Sequence, residues 1–177
     1  MIAFTVIGVP LPQPRHRARV QWFGKKAVAA VYLDEDDDIR KFKHDVAFEA
    51  AKAFHAAGNY GPHEQRPLLE GPLAVTLTFV FPRPKYLTWK TKPMPRAWMI
   101  NVPDLDNLEK SVLDALNKVV YVDDRQICKV NKIKVYASGD EPPRVHIAIS
   151  ELPPYTEETN EQTDSPAVRE LQEDQRR

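Results

Sequence analysis

The chain has 177 residues, in which 25 basic and 25 acidic side chains cancel, and it contains one cysteine. That length suits a single core with appendages. The lone Cys128 excludes an internal disulfide, and the absence of CxxC, HExxH and Gly-rich phosphate-loop motifs argues against zinc and nucleotide-cofactor chemistry, so a reducing cytoplasm fits. Neutrality hides a segregation of charge. Residues 151–177 hold eight acidic against three basic side chains, which leaves residues 1–150 net basic. No apolar run approaches the roughly 18 residues of a membrane span, so no membrane partner is expected.

Ile2 to Val9 reads as a strand. The segment from Pro10 to Arg19 has three prolines, which exclude regular structure, and sets Arg15, Arg17 and Arg19 on alternate positions. With Trp22, Lys25 and Lys26 just beyond, it has the composition of a loop that grips nucleic-acid phosphates; the plainer reading is a solvated charged loop. Val20 to Phe23 and Ala27 to Leu33 form a predicted hairpin across Gly24. The acidic run Asp34 to Asp38 stands just before the helical pattern Ile39, Phe42, Val46, Ala50, Ala53, Ala57. There acids favour the helix dipole, so we read them as structural and not as a metal cluster. Gly58 ends that helix, and a polar loop reaches Gly71.

Leu73 to Phe81 alternates strictly and is the clearest strand. From Pro82 to Met99, Arg83, Lys85, Lys90, Lys92 and Arg96 are interleaved with Tyr86, Trp89 and Trp98 and broken by four prolines. Cations of this kind hold a phosphate backbone, and exposed aromatics stack on unpaired bases; the alternative is a tryptophan closing a small core.

The stretch from Pro103 to Ile127 is the candidate active site. Leu105, Leu108, Val112, Leu116 and Val119 make one apolar helical stripe, and Asp106, Lys110, Asp114 and Asn117 recur on the opposite face. Asp106 followed by Glu109 has the form of a capping box at the helix start. Carboxylates at such a start commonly serve only the free N–H groups and the dipole. Here Asp123 and Asp124 follow the helix, ahead of an alternating run that is expected to return them to the helix start. Magnesium takes one or two carboxylates plus substrate phosphates, so two or three converging aspartates suffice, and Lys110 would face the same phosphate. A calcium EF-hand is excluded, because the fifth, sixth and twelfth loop positions hold Leu108, Glu109 and Ala115. For Asp114 a structural role and a functional one are equally compatible with the pattern.

Lys129 to Tyr136 and Arg144 to Ser150 read as a closing strand pair joined by a turn at Ser138 to Pro143. The tail after Ser150 has almost no large apolar residues and is expected to be disordered. The order β-β-β-α-β-α-β-β predicts an α+β domain over residues 1–150, a mixed sheet with two main helices packed on it, followed by an acidic tail over 151–177.

The blocks DLDNLEK (104–110), DAL (114–116) and DDRQ (123–126) resemble the signature of the RusA-type Holliday-junction resolvases, small phage and prophage endonucleases. The resemblance implies a RusA-like fold, with metal-binding aspartates at Asp104, Asp106 and Asp124, Asp123 being the alternative, and a catalytic lysine at Lys110. It also implies a magnesium-dependent endonuclease, manganese being a substitute, that cuts four-way junction DNA without a nucleotide cofactor. Paired nicks on a two-fold symmetric junction imply a homodimer, for which Leu73 to Phe81 or the closing strands offer apolar surface. Two other readings use the same residues: a non-catalytic DNA-binding recombination accessory protein, and a metal-dependent nuclease acting on flaps, forks or RNA.

Overall fold

In a computed structural model, which describes residues 1–15, 17–24, 26–32, 36–58, 66–89 and 91–156, the elements are β1 (Ile2–Ile7), β2 (Arg17–Phe23), β3 (Lys26–Tyr32), α1 (Asp37–Ala57), β4 (Leu73–Phe81), β5 (Ala97–Trp98), α2 (Leu105–Leu116), β6 (Ile127–Tyr136) and β7 (Arg144–Glu151). Single 3-10 turns lie at Lys85–Leu87 and Asp124–Gln126. The expectations for Leu33, Asp34, Glu35, most of the loop before Gly71, Lys25, Lys90 and the tail from residue 157 lie outside the described residues. No described helix is long and apolar enough to cross a membrane.

The architecture is α+β, as the element order predicts. Five strands run in the order β1-β7-β4-β6-β5, and β2 and β3 form a separate antiparallel hairpin. Alternation along β4 sends Leu73, Val75, Leu77, Phe79 and Phe81 to one face, where all are buried. Ile39, Phe42, Val46, Ala50 and Phe54 of α1 and Leu108, Val112, Ala115 and Leu116 of α2 join them in one core. Full burial of such a side chain contributes roughly 1.5–3 kcal/mol, so this shared face is what holds both helices to the sheet. On the opposite face Val80, Val135 and Ala137 form a small second cluster.

The closing strands are not a hairpin pair. β7 runs antiparallel to β4, β6 runs parallel to it, and β4 therefore lies between them. A parallel neighbour requires a crossover, and α2 supplies it: β4, α2 and β6 form a βαβ unit, while the connection through Pro142 and Pro143 spans the end of β4. β4 and β7 are flanked on both sides within the sheet, whereas β5 covers β6 only at Val135 and Tyr136, so the rest of β6 is an open edge among the described residues.

One helix end differs from its sequence pattern, and another follows it. The stripe of α2 continues to Val119, yet the helix stops at Leu116, because Asn117 is extended and Lys118 takes the left-handed φ of 61°. Buried Tyr121 fixes this stop: its hydroxyl donates to the Leu113 carbonyl at 2.8 Å and its own carbonyl accepts from Lys118 N at 2.8 Å. At the start of α1, Asp36 accepts from Ile39 N at 3.0 Å and Asp37 binds Arg40, so these members of the acidic run are cap and dipole partners, as read.

The segment between β4 and β5 is tied down by arginines. Arg83 donates to the carbonyls of Ala137 (3.0 Å) and Pro95 and lies over the Trp89 ring at 6.0 Å. Glu141, in the connection before β7, binds both Arg96 and Arg144 and accepts from Ser138 N at 2.9 Å. The Arg96 hydrogen bond holds its carboxyl down at about 2. The stability this supplies is fully present above the ordinary value of 4.5 and disappears as pH falls toward 2. We expect Glu141→Gln to destabilise the protein by roughly 1–2 kcal/mol at neutral pH and to flatten its loss of stability below pH 4.5, measured by urea unfolding across pH. An unchanged acid limb would show that the carboxylate is not coupled to folding.

Candidate active site

The N-terminal end of α2 is held from two sides. Lys134 of β6 donates to the carbonyls of Asn101 and Pro103, both at 2.7 Å, and Lys132 pairs with Glu109. On the other side Gln13 N donates to the Asn107 carbonyl at 2.8 Å, and the buried Ser111 hydroxyl donates to the Leu11 carbonyl at 2.7 Å. The Pro-rich loop is thereby fixed along the first two turns. Asp104 occupies the cap position but its side chain makes no cap bond; instead its carboxylate accepts from Arg15 at 2.6 Å. Asp106 and Lys110, one turn apart, are both exposed, and neither joins an ion pair among the described residues. The expected Asp106–Glu109 capping box does not form, because Glu109 is turned to Lys132.

A capping box does form, at the other aspartate pair. Asp123 accepts from Arg125 N at 3.0 Å while the Gln126 side chain accepts from Asp123 N at 2.9 Å. Gln126 also donates to the Leu69 and Gly71 carbonyls and so docks this turn beside the start of β4. Asp123 is occupied by that work, whereas Asp124 is exposed. Burial first, and then the charges of Asp124 and Asp114, push the Tyr121 phenol above its ordinary range. Asp124 follows by three residues a tyrosine bonded to Leu113, near the C-terminal end of a helix about 18 Å long, while Asp104 marks its start. β6 does return alongside α2, but its beginning and not its end adjoins Asp124. Accordingly, the described residues contain no group of three or more His, Cys, Asp or Glu placed to hold one metal ion. Asp114 is paired with Lys43 of α1 at 3.8 Å.

Comparison with known proteins now decides the lineage. A family model described as endodeoxyribonuclease RusA matches residues 8–150. The chain belongs to the RusA endodeoxyribonuclease family. A Bacillus subtilis (strain 168) protein named uncharacterized protein YqaN is 30% identical over 156 residues, covering 85% of this chain and 96% of its own length.

Within this RusA-family chain the basic residues divide by use. Lys26, Lys85 and Lys92 are exposed, Arg15 is on Asp104, and Arg83 and Arg96 are engaged in the folded loop described above. For Arg17 and Arg19 the backbone places them on β2 of the hairpin. Neither loop tryptophan closes a core: Trp89 is 42% and Trp98 72% exposed. Trp98, Ile100 and Val102, on alternate positions leading to Asp104, form an exposed apolar row. The supports that sequence reasoning missed are Lys132, Lys134 and Ser111; the alternation of Lys132 and Lys134 along β6 was their one visible signal. Asp123→Ala should lower stability by about 1 kcal/mol through loss of the cap, whereas Asp124→Asn should leave the melting temperature within a degree or two of wild type. Differential scanning calorimetry separates them, and equal losses would remove the distinction between cap and open carboxylate.

Proposed function

We propose that this protein is a magnesium-dependent endonuclease that resolves four-way DNA junctions by paired phosphodiester nicks, acting as a homodimer, with manganese as an alternative ion. The observation that carries the reading is the exposed Asp104, Asp106 and Lys110 on the braced start of α2 in a RusA-family chain. The donor chemistry fits: magnesium takes hard oxygen ligands and needs only one or two carboxylates beside substrate phosphates. Asp104 is an exposed carboxylate, unused as a cap and attracting a guanidinium cation.

Asp104 and Asp106 would hold the ion. When bound, it supplies positive charge against the phosphate and lowers the pKa of the attacking water. Lys110 sits four residues beyond Asp106 on the same face and offsets charge on the non-bridging phosphate oxygens. Lys132 and Lys134 keep these groups in register with the sheet, since a misplaced carboxylate loses coordination geometry. The apolar row Trp98, Ile100, Val102 suits bases unstacked at a branch better than it suits the phosphates of uniform duplex. That favours a branched substrate.

A second copy serves two needs. One chain carries one set of catalytic groups, so two nicks within one complex need two chains. Asp124, in the 3-10 turn that follows the C-terminal end of α2 while Asp104 marks its start, also needs another chain if it is to complete the metal set. Asp104→Asn, Asp106→Asn and Asp124→Asn are each expected to lower nicking at least a hundredfold in a magnesium gel assay while retaining junction binding, and Asp36→Asn to cut normally because Asn also caps helices. Wild-type cutting by Asp106→Asn, or undiminished cutting in EDTA, would contradict the assignment.

A further inference from the structure

We propose that Arg15 is a metal-responsive phosphate clamp, neutralising Asp104 in the metal-free protein and transferring to a DNA backbone phosphate when a divalent cation takes its place. The inference rests on the nuclease reading above and adds a role that the acidic residues do not contain. Three observations carry it.

The pair is short but open: the guanidinium donates to Asp104 at 2.6 Å, with side chains 74% and 50% exposed. Exposed pairs of this kind are weak enough for a dication to displace. The base of the loop is fixed, since the bonds Gln13 N to Asn107 O and Ser111 Oγ to Leu11 O pin it to α2 and leave Arg15 two residues beyond the anchor. Arg15 is thus held within reach of the site whichever partner it takes. Finally, an open cleft of about 570 Å³ is lined by Pro12 to Arg15, Val102 to Asp104 and Asn107, so the guanidinium has room to leave the carboxylate.

The exchange follows from charge. A carboxylate coordinating a dication has little negative charge left for a guanidinium, and the dication repels it directly. A planar fork of N–H donors released beside a scissile phosphate has a second anion of matching geometry, the phosphate oxygens. Metal and DNA therefore bind with positive coupling through Arg15, and the coupling is reciprocal.

The test starts with manganese alone, titrated calorimetrically into full-length wild type, Arg15→Gln and Arg15→Lys at low salt. Arg15→Gln should bind manganese about two- to fivefold more tightly, Arg15→Lys should return toward wild type, and high salt should shrink the difference. Junction binding is then compared in EDTA and in calcium over a salt series. In calcium the wild-type salt slope should exceed that of Arg15→Gln by about one, the signature of one phosphate contact, and in EDTA the two slopes should converge. Equal manganese affinities for wild type and Arg15→Gln overturn the clamp while leaving the metal site standing. An Arg15→Gln effect on DNA binding that is the same with and without calcium overturns it too. Absence of manganese binding in every protein overturns the clamp and the metal reading together.

Discussion

The bracing of α2 at its N-terminal end is the constraint on which the rest of the site depends. A 12-residue helix is too short to hold itself in water, so its position comes from packing Leu108, Val112, Ala115 and Leu116 against β4 and α1. Packing along a smooth apolar stripe leaves a helix free to slide by a fraction of a turn. Lys132, Lys134, Ser111 and the Leu11–Gln13 backbone remove that freedom by fixing specific groups of the first turns. Asp104, Asp106 and Lys110 are consequently presented at defined positions from a rigid element, which is what catalysis by positioned charges needs.

Charge is used in two different ways across the body. Glu141 gathers Arg96 and Arg144, and Arg83 gathers loop carbonyls, so these cations give the prolines and tryptophans between β4 and β5 a defined path. In the two basic stretches, the described Lys26, Lys85 and Lys92 are exposed and make no such contact. The β2–β3 hairpin stands apart from the main sheet with Trp22 and Phe23 exposed 70% and 65% near its turn. An isolated two-stranded hairpin of this kind is marginal in water.

Much of this was legible in the residues because it is local. The bounds of β4 follow from unbroken alternation, and α1 follows from its apolar spacing and the Asp36 cap. What could not be read there is non-local. A strand pair joined by a turn and two strands straddling a third look alike in sequence, so the separation of β6 and β7 by β4 stayed hidden. The sequence suggested a capping box at Asp106–Glu109, but the box forms at Asp123–Gln126. Tertiary partners decided between them, because Lys132 draws Glu109 away while the Leu69 and Gly71 carbonyls hold Gln126 in place. The end of α2 was likewise set by Tyr121, a residue outside the helix. The motif itself, with Asp104, Asp106, Lys110 and the Asp123–Asp124 pair, is contiguous and was visible; the distance along α2 between its two acidic parts was not.

The separation along α2 is the basis for proposing that a working site joins the Asp104–Asp106 end of one chain to Asp124 of a second. Co-expressing Asp106→Asn and Asp124→Asn chains and assaying the mixed dimer on a cruciform plasmid tests it directly. Each variant alone should be inactive, and the mixed dimer should regain single nicks, because one of its two sites then carries every wild-type carboxylate. A mixed dimer as inactive as its parents would contradict the claim and return all three aspartates to a site within one chain.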